Sequence, residues 1–312
     1  MVKLKEALVS CTEEFFMPGN SCCAGCGLEL AIRWALKALG PNTSIVAPAS
    51  CLNVVIGLYP KAAPNVPHIN MAFAAGASAA TGLEAAYKAK AYKFPEGKWK
   101  DMTSLVFAGD GGTTDIGIQA LSGAAERNSN IIYCCYDNEA YMNTGIQRSS
   151  STPHGAKTTT TPFGKQRYKK NLPKIMEAHD IPYVATCAVS EPLDLYEKFK
   201  KAKDINGCKY IHILAPCPPG WGFDSSDTVE ISRLAVKSGM WILYEVENGI
   251  KKLSKPSKRL LDPEKRMPLV DYISTQKRFA NITEKELVSL QKGIDKQWQQ
   301  IDAELKCQQE FM

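Results

Sequence analysis

Short apolar runs recur along the chain at 43–49, 105–108, 131–136, 183–188 and 210–214, each of strand length. Between them lie segments whose apolar residues return at helical spacing: 28–39, with Leu30, Trp34 and Leu36, then 172–179 and 193–202. The stretch 71–89 is rich in alanine and carries Gly76 and Gly82, which reads as a helix packed closely by another backbone, in the core or at a subunit interface. Asp227 and Glu230 give a capping signal for a helix ending near Gly239, 241–249 is strand-like, and Thr283 with Glu286 caps a helix over 287–303. Alternating strands and helices predict an α/β fold with a doubly wound, mostly parallel sheet. The pattern divides the chain into a domain over 1–249 and an arm over 250–312 that closes over this subunit or grips a partner.

The stretch 105–146 concentrates the candidate chemistry. An apolar run ends at Ala108, turns through Gly109, Asp110, Gly111 and Gly112, and passes into a helix containing Ala120, Leu121, Ala124 and Ala125. A second run, 131–136, ends in Asp137, Asn138 and Glu139. The glycines permit close approach of an anion, the following helix offers free amides to a phosphate, and Asp110 with Asn138 supplies oxygen ligands for a hard cation. That combination suits a magnesium-bound diphosphate. The segment lacks the GxGxxG spacing of a dinucleotide fold.

A chain of 312 residues can bury a large core. Its formal charge of +6 is spread along the sequence, with no nucleic-acid module. Acidic residues interrupt the start, where a signal peptide needs an apolar core, and no apolar run approaches the ~18 residues of a membrane span. The reading is cytoplasmic, with neither membrane nor nucleic acid as partner. The polar segment 147–170 carries six basic residues and reads as a solvated loop or a face for an acidic partner.

Eleven cysteines without a targeting signal point to metal or iron-sulfur ligation rather than disulfides. The segment GNSCCAGCG places Cys22, Cys23 and Cys26 together, with a CxxC hairpin formed by Cys23 and Cys26. Cys51 and Cys217 each follow a strand. Four thiolates suit zinc or an iron-sulfur cluster. Cys134 and Cys135 read as a buried pair, Cys187 and Cys208 as buried small side chains, Cys22 as pointing away from its neighbour's ligand position, and Cys11 and Cys307 as carrying no spacing signal.

GDG followed by DNEAYMNTG, together with CAGC, SCLN and PCPPGW, resembles the beta subunit of pyruvate:ferredoxin oxidoreductase and its relatives over roughly residues 10–280. The resemblance implies a thiamine diphosphate fold. Asp110, the Asn138 side chain and the Ala140 carbonyl would hold Mg2+, with Gly109, Gly111, Gly112, Asn143, Thr144 and Gly145 around the cofactor. It also implies a 4Fe-4S cluster on Cys23, Cys26, Cys51 and Cys217, and partners of alpha, gamma and delta type, with ferredoxin as acceptor. The implied reaction is decarboxylation of a 2-oxoacid with electrons leaving through the cluster, and no catalytic acid or base is assigned to this chain.

Two departures bear on substrate. Asn53 stands where the family has Glu, and Phe73, Ala74 and Ala75 replace an aromatic-Glu-Asn segment. Loss of negative charge eases binding of a second carboxylate. On that ground the chain resembles the beta subunit of oxalate oxidoreductase, with pyruvate or a branched-chain 2-oxoacid as the alternative substrate. Asn53, His68 and Ala74 are the candidate substrate-pocket residues, His68 equally a core or interface histidine. Readings of another class are a non-catalytic iron-sulfur electron-transfer subunit and a zinc-stabilised binding module.

Overall fold

A computed structural model describes residues 13–57 and 62–310; Cys11 and the start that bears on a signal peptide lie outside them. Six strands run parallel in the order β2-β1-β3-β4-β6-β5: β1 (Thr43–Pro48), β2 (His68–Met71), β3 (Thr103–Gly109), β4 (Ile132–Asp137), β5 (Tyr183–Ala188) and β6 (Lys209–Leu214). An antiparallel hairpin, β7 (Tyr244–Glu247) and β8 (Ile250–Leu253), extends the sheet beyond β5. The helices are α1 (Gly27–Leu39), α2 (Cys51–Ile56), α3 (Gly76–Lys93), α4 (Ile118–Glu126), α5 (Leu172–Glu177), α6 (Pro192–Asp204), α7 (Pro218–Trp221), α8 (Thr228–Lys237), α9 (Lys255–Lys258), α10 (Leu269–Ile273) and α11 (Glu284–Glu310). None among the described residues is long and apolar enough to cross a membrane.

The central strands are apolar on both faces because both are covered. Leu105 and Phe107 of β3, Cys134 and Tyr136 of β4, and Ile211 and Ile213 of β6 pack with α1 and α6 on one side. Val106 and Ala108, Tyr133 and Cys135, and Tyr210 and Leu214 pack on the other, with α4, α8 and α11. Strand alternation therefore separates Cys134 from Cys135: both are buried, but on opposite faces, rather than as a pair.

Several local expectations change in three dimensions. Asp227 sits at the N-cap of α8 but makes no side-chain cap bond, and Glu230 pairs with Arg233 instead. Thr283 and Glu286 do form a reciprocal capping box, with Thr283 N donating to Glu286 Oε2 at 3.0 Å and Glu286 N donating to Thr283 Oγ1 at 3.3 Å. The stretch 71–89 divides into the end of β2 and α3. A Cβ at Gly76 would lie 2.5 Å from Pro48 Cγ, so this glycine permits close packing on β1, whereas Gly82 faces open space. The 249/250 boundary falls inside the β7–β8 hairpin, where Glu247 pairs with Ile250. Beyond it, α11 inserts Leu290, Ile294, Trp298 and Ile301 into the core shared with β3, β4 and β6.

The strand order also positions the site. The connection leaving β1 runs to β2, on one side, and that leaving β3 runs to β4, on the other, so the sheet switches direction between β1 and β3. Such a switch leaves a crevice beyond the carboxyl ends of the strands. The residues following β1, β3, β4 and β6, which are adjacent in that order, include Cys51, Asp110, Asn138 and Cys217.

Candidate cofactor and cluster site

β3 passes at Gly109 and Asp110 into a wide π-helical turn, Gly111–Ile116, before α4 begins. This tight continuation needs small residues. A Cβ at Gly111 would stand 2.5 Å from the Tyr141 ring, one at Gly112 3.2 Å from the Phe73 ring, and one at Gly117 2.2 Å from the Gly112 carbonyl oxygen. The leading amides of such a turn have no acceptor within it and face outward at the crevice.

Asp110 is fully buried. The Asn138 side-chain amide lies 3.0 Å from both Asp110 Oδ1 and the Ala140 carbonyl oxygen, with its oxygen end facing these two acceptors. With the amide turned so that its nitrogen faces them, it donates to both acceptors; turned the other way, its oxygen joins theirs around a cation. The donor set fits a hard cation such as magnesium. Burial, and then the charge of Asp137, push the Asp110 carboxyl well above the usual carboxylate range. A bound cation would relieve that penalty.

Gly109, Gly111, Gly112, Asn138, Ala140, Asn143 and Thr144 line a cleft of about 100 Å³. Ala49, Ser50, Cys51, Phe73, Tyr136, Tyr141 and Met142 complete its walls. Gly145, at φ 121°, lies in the following turn outside the lining. Asn53, His68 and Ala74 also lie outside it. The Asn53 amide donates to Ala47 O at 3.2 Å and accepts from Ser50 Oγ at 3.4 Å, while His68 starts the edge strand β2. The cleft is smaller than the roughly 300–1,000 Å³ of an enclosed small-molecule site.

A buried polar network holds the segment 137–140. Asp137 Oδ2 accepts from Lys169 Nζ at 2.6 Å and from His212 Nε2 at 2.7 Å. Burial acts to raise the Asp137 carboxyl, but Lys169 and His212 outweigh it and hold it below the carboxylate range. Glu139 occupies the left-handed region at φ 65° and is gripped by Lys169 at 2.8 Å and Arg278 at 2.7 Å. The Arg278 guanidinium lies 3.6 Å above the Trp221 ring, and Trp221 Nε1 donates to Asn138 O at 2.8 Å. Ser149 Oγ donates to Asp110 Oδ2 at 2.5 Å, and Thr152 Oγ1 donates to Glu139 O at 2.6 Å.

The segment 147–170 is accordingly mixed: Ser149, Lys165, Lys169 and Lys170 turn inward against the segments that follow β3 and β4, while Arg148, Lys157 and Arg167 are exposed as in a solvated loop. Lys165 is buried and donates to the carbonyls of Ser149, Ser150 and Thr152, and Lys170 bonds Thr114 O. Sequence reasoning missed Ser149, Lys169, Trp221 and Arg278. A basic run has the same local pattern whether it is solvated or answers acids elsewhere, and only the return of the chain to β4 distinguishes the two.

The cysteine hairpin docks on the segment after β6. Gly27 N donates to Pro216 O at 3.1 Å, and Gly25, at φ 69°, lets the hairpin approach Ser225, whose carbonyl oxygen would lie 2.1 Å from a Cβ there. Burial pushes the thiols of Cys51 and Cys217 up to about 12, and each also feels Cys23 and Cys26. All four thiols therefore share one neighbourhood. Cys22 neighbours Cys26 electrostatically: its influence, opposed by burial and aided by the amides of Glu29 and Leu28, brings the Cys26 thiol down to about 7. Among the described residues no three His, Cys, Asp or Glu side chains stand in a closed metal-holding group. The donor set, four cysteine sulfurs, fits a thiophilic metal or cluster, whose positive charge would offset the cost of ionising the buried thiols. Cys187 and Cys208 are buried in strand and loop, and Cys307 is exposed on α11.

Residues 51–213 match the family described as "Thiamine pyrophosphate enzyme, C-terminal TPP binding domain". The chain is 50% identical to pyruvate synthase subunit PorB of Methanothermobacter thermautotrophicus over 93% of its own length and 98% of that relative's. It is 43% identical to ketoisovalerate oxidoreductase subunit VorB of Pyrococcus horikoshii over 96% of each chain. Among solved structures, 2-oxoglutarate:ferredoxin oxidoreductase from Magnetococcus marinus with 2-oxoglutarate, coenzyme A and succinyl-CoA bound superposes with TM-score 0.54. That match covers 70% of this chain and 79% of the other at 21% identity, a likeness of fold.

Proposed function

We propose that this chain, which belongs to the beta-type subunits of the pyruvate/2-oxoacid:ferredoxin oxidoreductase family, forms the diphosphate-binding half of a thiamine diphosphate site that oxidises pyruvate and passes electrons to ferredoxin. The observation that carries the reading is the Asn138 side-chain amide standing 3.0 Å from both Asp110 Oδ1 and the Ala140 carbonyl oxygen, beside a glycine turn. Asp110, Asn138 and Ala140 would hold magnesium, and the amides after Gly111 would face the diphosphate. Ser149 orients Asp110, Trp221 orients the Asn138 backbone, and Lys169 with Arg278 keeps Glu139 in its left-handed conformation. When bound, thiamine diphosphate would supply the electron sink for loss of carbon dioxide, and Cys23, Cys26, Cys51 and Cys217 would hold a 4Fe-4S cluster able to accept electrons singly.

The small cleft supports a second wall from an alpha-type subunit, within a complex that also includes gamma- and delta-type subunits. Pyruvate is favoured over a branched-chain 2-oxoacid by the higher identity to the pyruvate synthase subunit. Oxalate, suggested by Asn53, Ala74 and Ala75, takes second place: none of the three lines the cleft. The test is a parallel rate measurement on the purified complex with viologen as acceptor. Coenzyme-A-dependent oxidation of pyruvate is expected to dominate. Oxalate-dependent reduction without coenzyme A, at a rate above that with pyruvate, would overturn the assignment.

A further inference from the structure

A second cavity, of about 580 Å³, lies under α11, on the face of the sheet that bears His212. Its size falls within the range of small-molecule sites. Trp241, Ile242, Ile294 and Ile301 make an apolar floor, and its inner end is formed by His212 and Lys169, the two groups that hold Asp137. Interiors are normally packed without voids of this size.

The charge around it is one-sided. Six lysines and a single carboxylate, Glu304, are among the lining residues. Glu304 is already paired with Lys174 and Lys251, each at 2.6 Å, and Lys251 also pairs with Glu177 at 2.9 Å. Lys169 is held by Asp137 and Glu139, and Lys170 stands 3.6 Å from Asp115. Lys292 and Lys296, one turn apart on α11, make no ion pair among the described residues. His154 also lines the cavity, and its Nδ1 is buried without a hydrogen-bond partner. An apolar floor below unpaired ammonium groups is complementary to a molecule with an apolar body and an anionic head.

We propose that this cavity is a binding site, separate from the diphosphate cleft, for a small amphipathic anion: a carboxylate or phosphate monoester with an apolar body. The apolar part would lie against Trp241, Ile294 and Ile301, with the anionic oxygens toward Lys292 and Lys296.

The test uses the purified complex, saturated with thiamine diphosphate and magnesium, titrated with the fluorescent sulfonate 1-anilinonaphthalene-8-sulfonate and with its uncharged analogue N-phenyl-1-naphthylamine. One sulfonate site per chain is expected, with the neutral analogue at least tenfold weaker, and displacement by decanoate or decyl phosphate, whichever competes at the lower concentration identifying the preferred head group. The double variant K292E/K296E changes two exposed side chains and should weaken sulfonate binding at least tenfold. Gln297→Trp, which fills the cavity from α11, should abolish it. Circular dichroism of both variants checks that the fold is kept. Equal affinity for the charged and neutral probes, no displacement by either competitor, or sulfonate binding unchanged in K292E/K296E would overturn the proposal.

Discussion

Replacing Lys169 by Met removes the cation shared by two buried carboxylates while keeping a side chain of similar length. Asp137 is fully buried and Glu139 nearly so, and Lys169 reaches them at 2.6 and 2.8 Å. After the change, Asp137 keeps His212 and Glu139 keeps Arg278, so neither is left without a partner, but one positive charge is lost from the group. Leaving a buried charge with no partner costs about 3–5 kcal/mol; with His212 and Arg278 still in place the expected cost is smaller, about 2–3 kcal/mol. At roughly 2–4 °C per kcal/mol for a domain of this size class, the expected fall in Tm is about 4–12 °C. The pH dependence provides a sharper check. Asp137 has a folded pKa below its unfolded value, so its contribution is present above the unfolded pKa of about 3.9 and is lost as pH falls through the folded value. Without Lys169 the folded carboxyl titrates higher, and the acid-unfolding midpoint should move up in pH. Thermal melts and acid titrations followed by circular dichroism, wild type beside variant, measure both effects. A Tm within 2 °C of wild type together with an unmoved acid midpoint would refute the claim that Lys169 holds this segment.

Asp110→Ala should abolish binding of thiamine diphosphate with magnesium, measured calorimetrically on the assembled complex, while leaving the optical spectrum of the cysteine-bound cluster; unchanged cofactor affinity removes Asp110 from the ligand set. Cys51→Ser or Cys217→Ser should strip most of the iron from anaerobically purified protein, whereas Cys187→Ser, buried in β5, should not, and full iron content in the first two would exclude their ligation. Burial brings the Lys209 ammonium down to about 8, so the folded state carries its desolvation penalty below that pH and sheds it as pH rises toward the unfolded value of about 10.4. Lys209→Met should therefore be more stable than wild type at pH 7 by up to about 3 kcal/mol, with the advantage shrinking between pH 8 and 10 in urea titrations; a difference constant with pH would show that Lys209 is not the titrating group.

The period of the apolar residues carried the α/β architecture, because strands buried on both faces read as short apolar runs and the helices between them as amphipathic stretches. The range 183–188 coincides with β5, and the start of α1 falls within one residue of its expected position. The residue types also suggested two kinds of ligand set: glycines with Asp110 and Asn138 for a diphosphate and its cation, cysteines for a thiophilic metal. Only the tertiary structure decided how these meet. β1 and β6 lie three strands apart in the sheet, so the common neighbourhood of Cys51 and Cys217 depends on strand order, which local periodicity does not encode. α2 was not foreseen, since a single helical turn after β1 has too few residues to show a period. The basic run near Lys169 looked solvated because a lysine side chain has no sequence signal for its partner; Lys169 is drawn inside by Glu139 and Asp137, just after and at the end of β4, 30 and 32 positions earlier. Arg278 makes the same point from the other end of the chain: it reaches Glu139 and Trp221 only because the segment after β8 folds back over this subunit, where desolvated charges find partners that proximity in sequence could not supply.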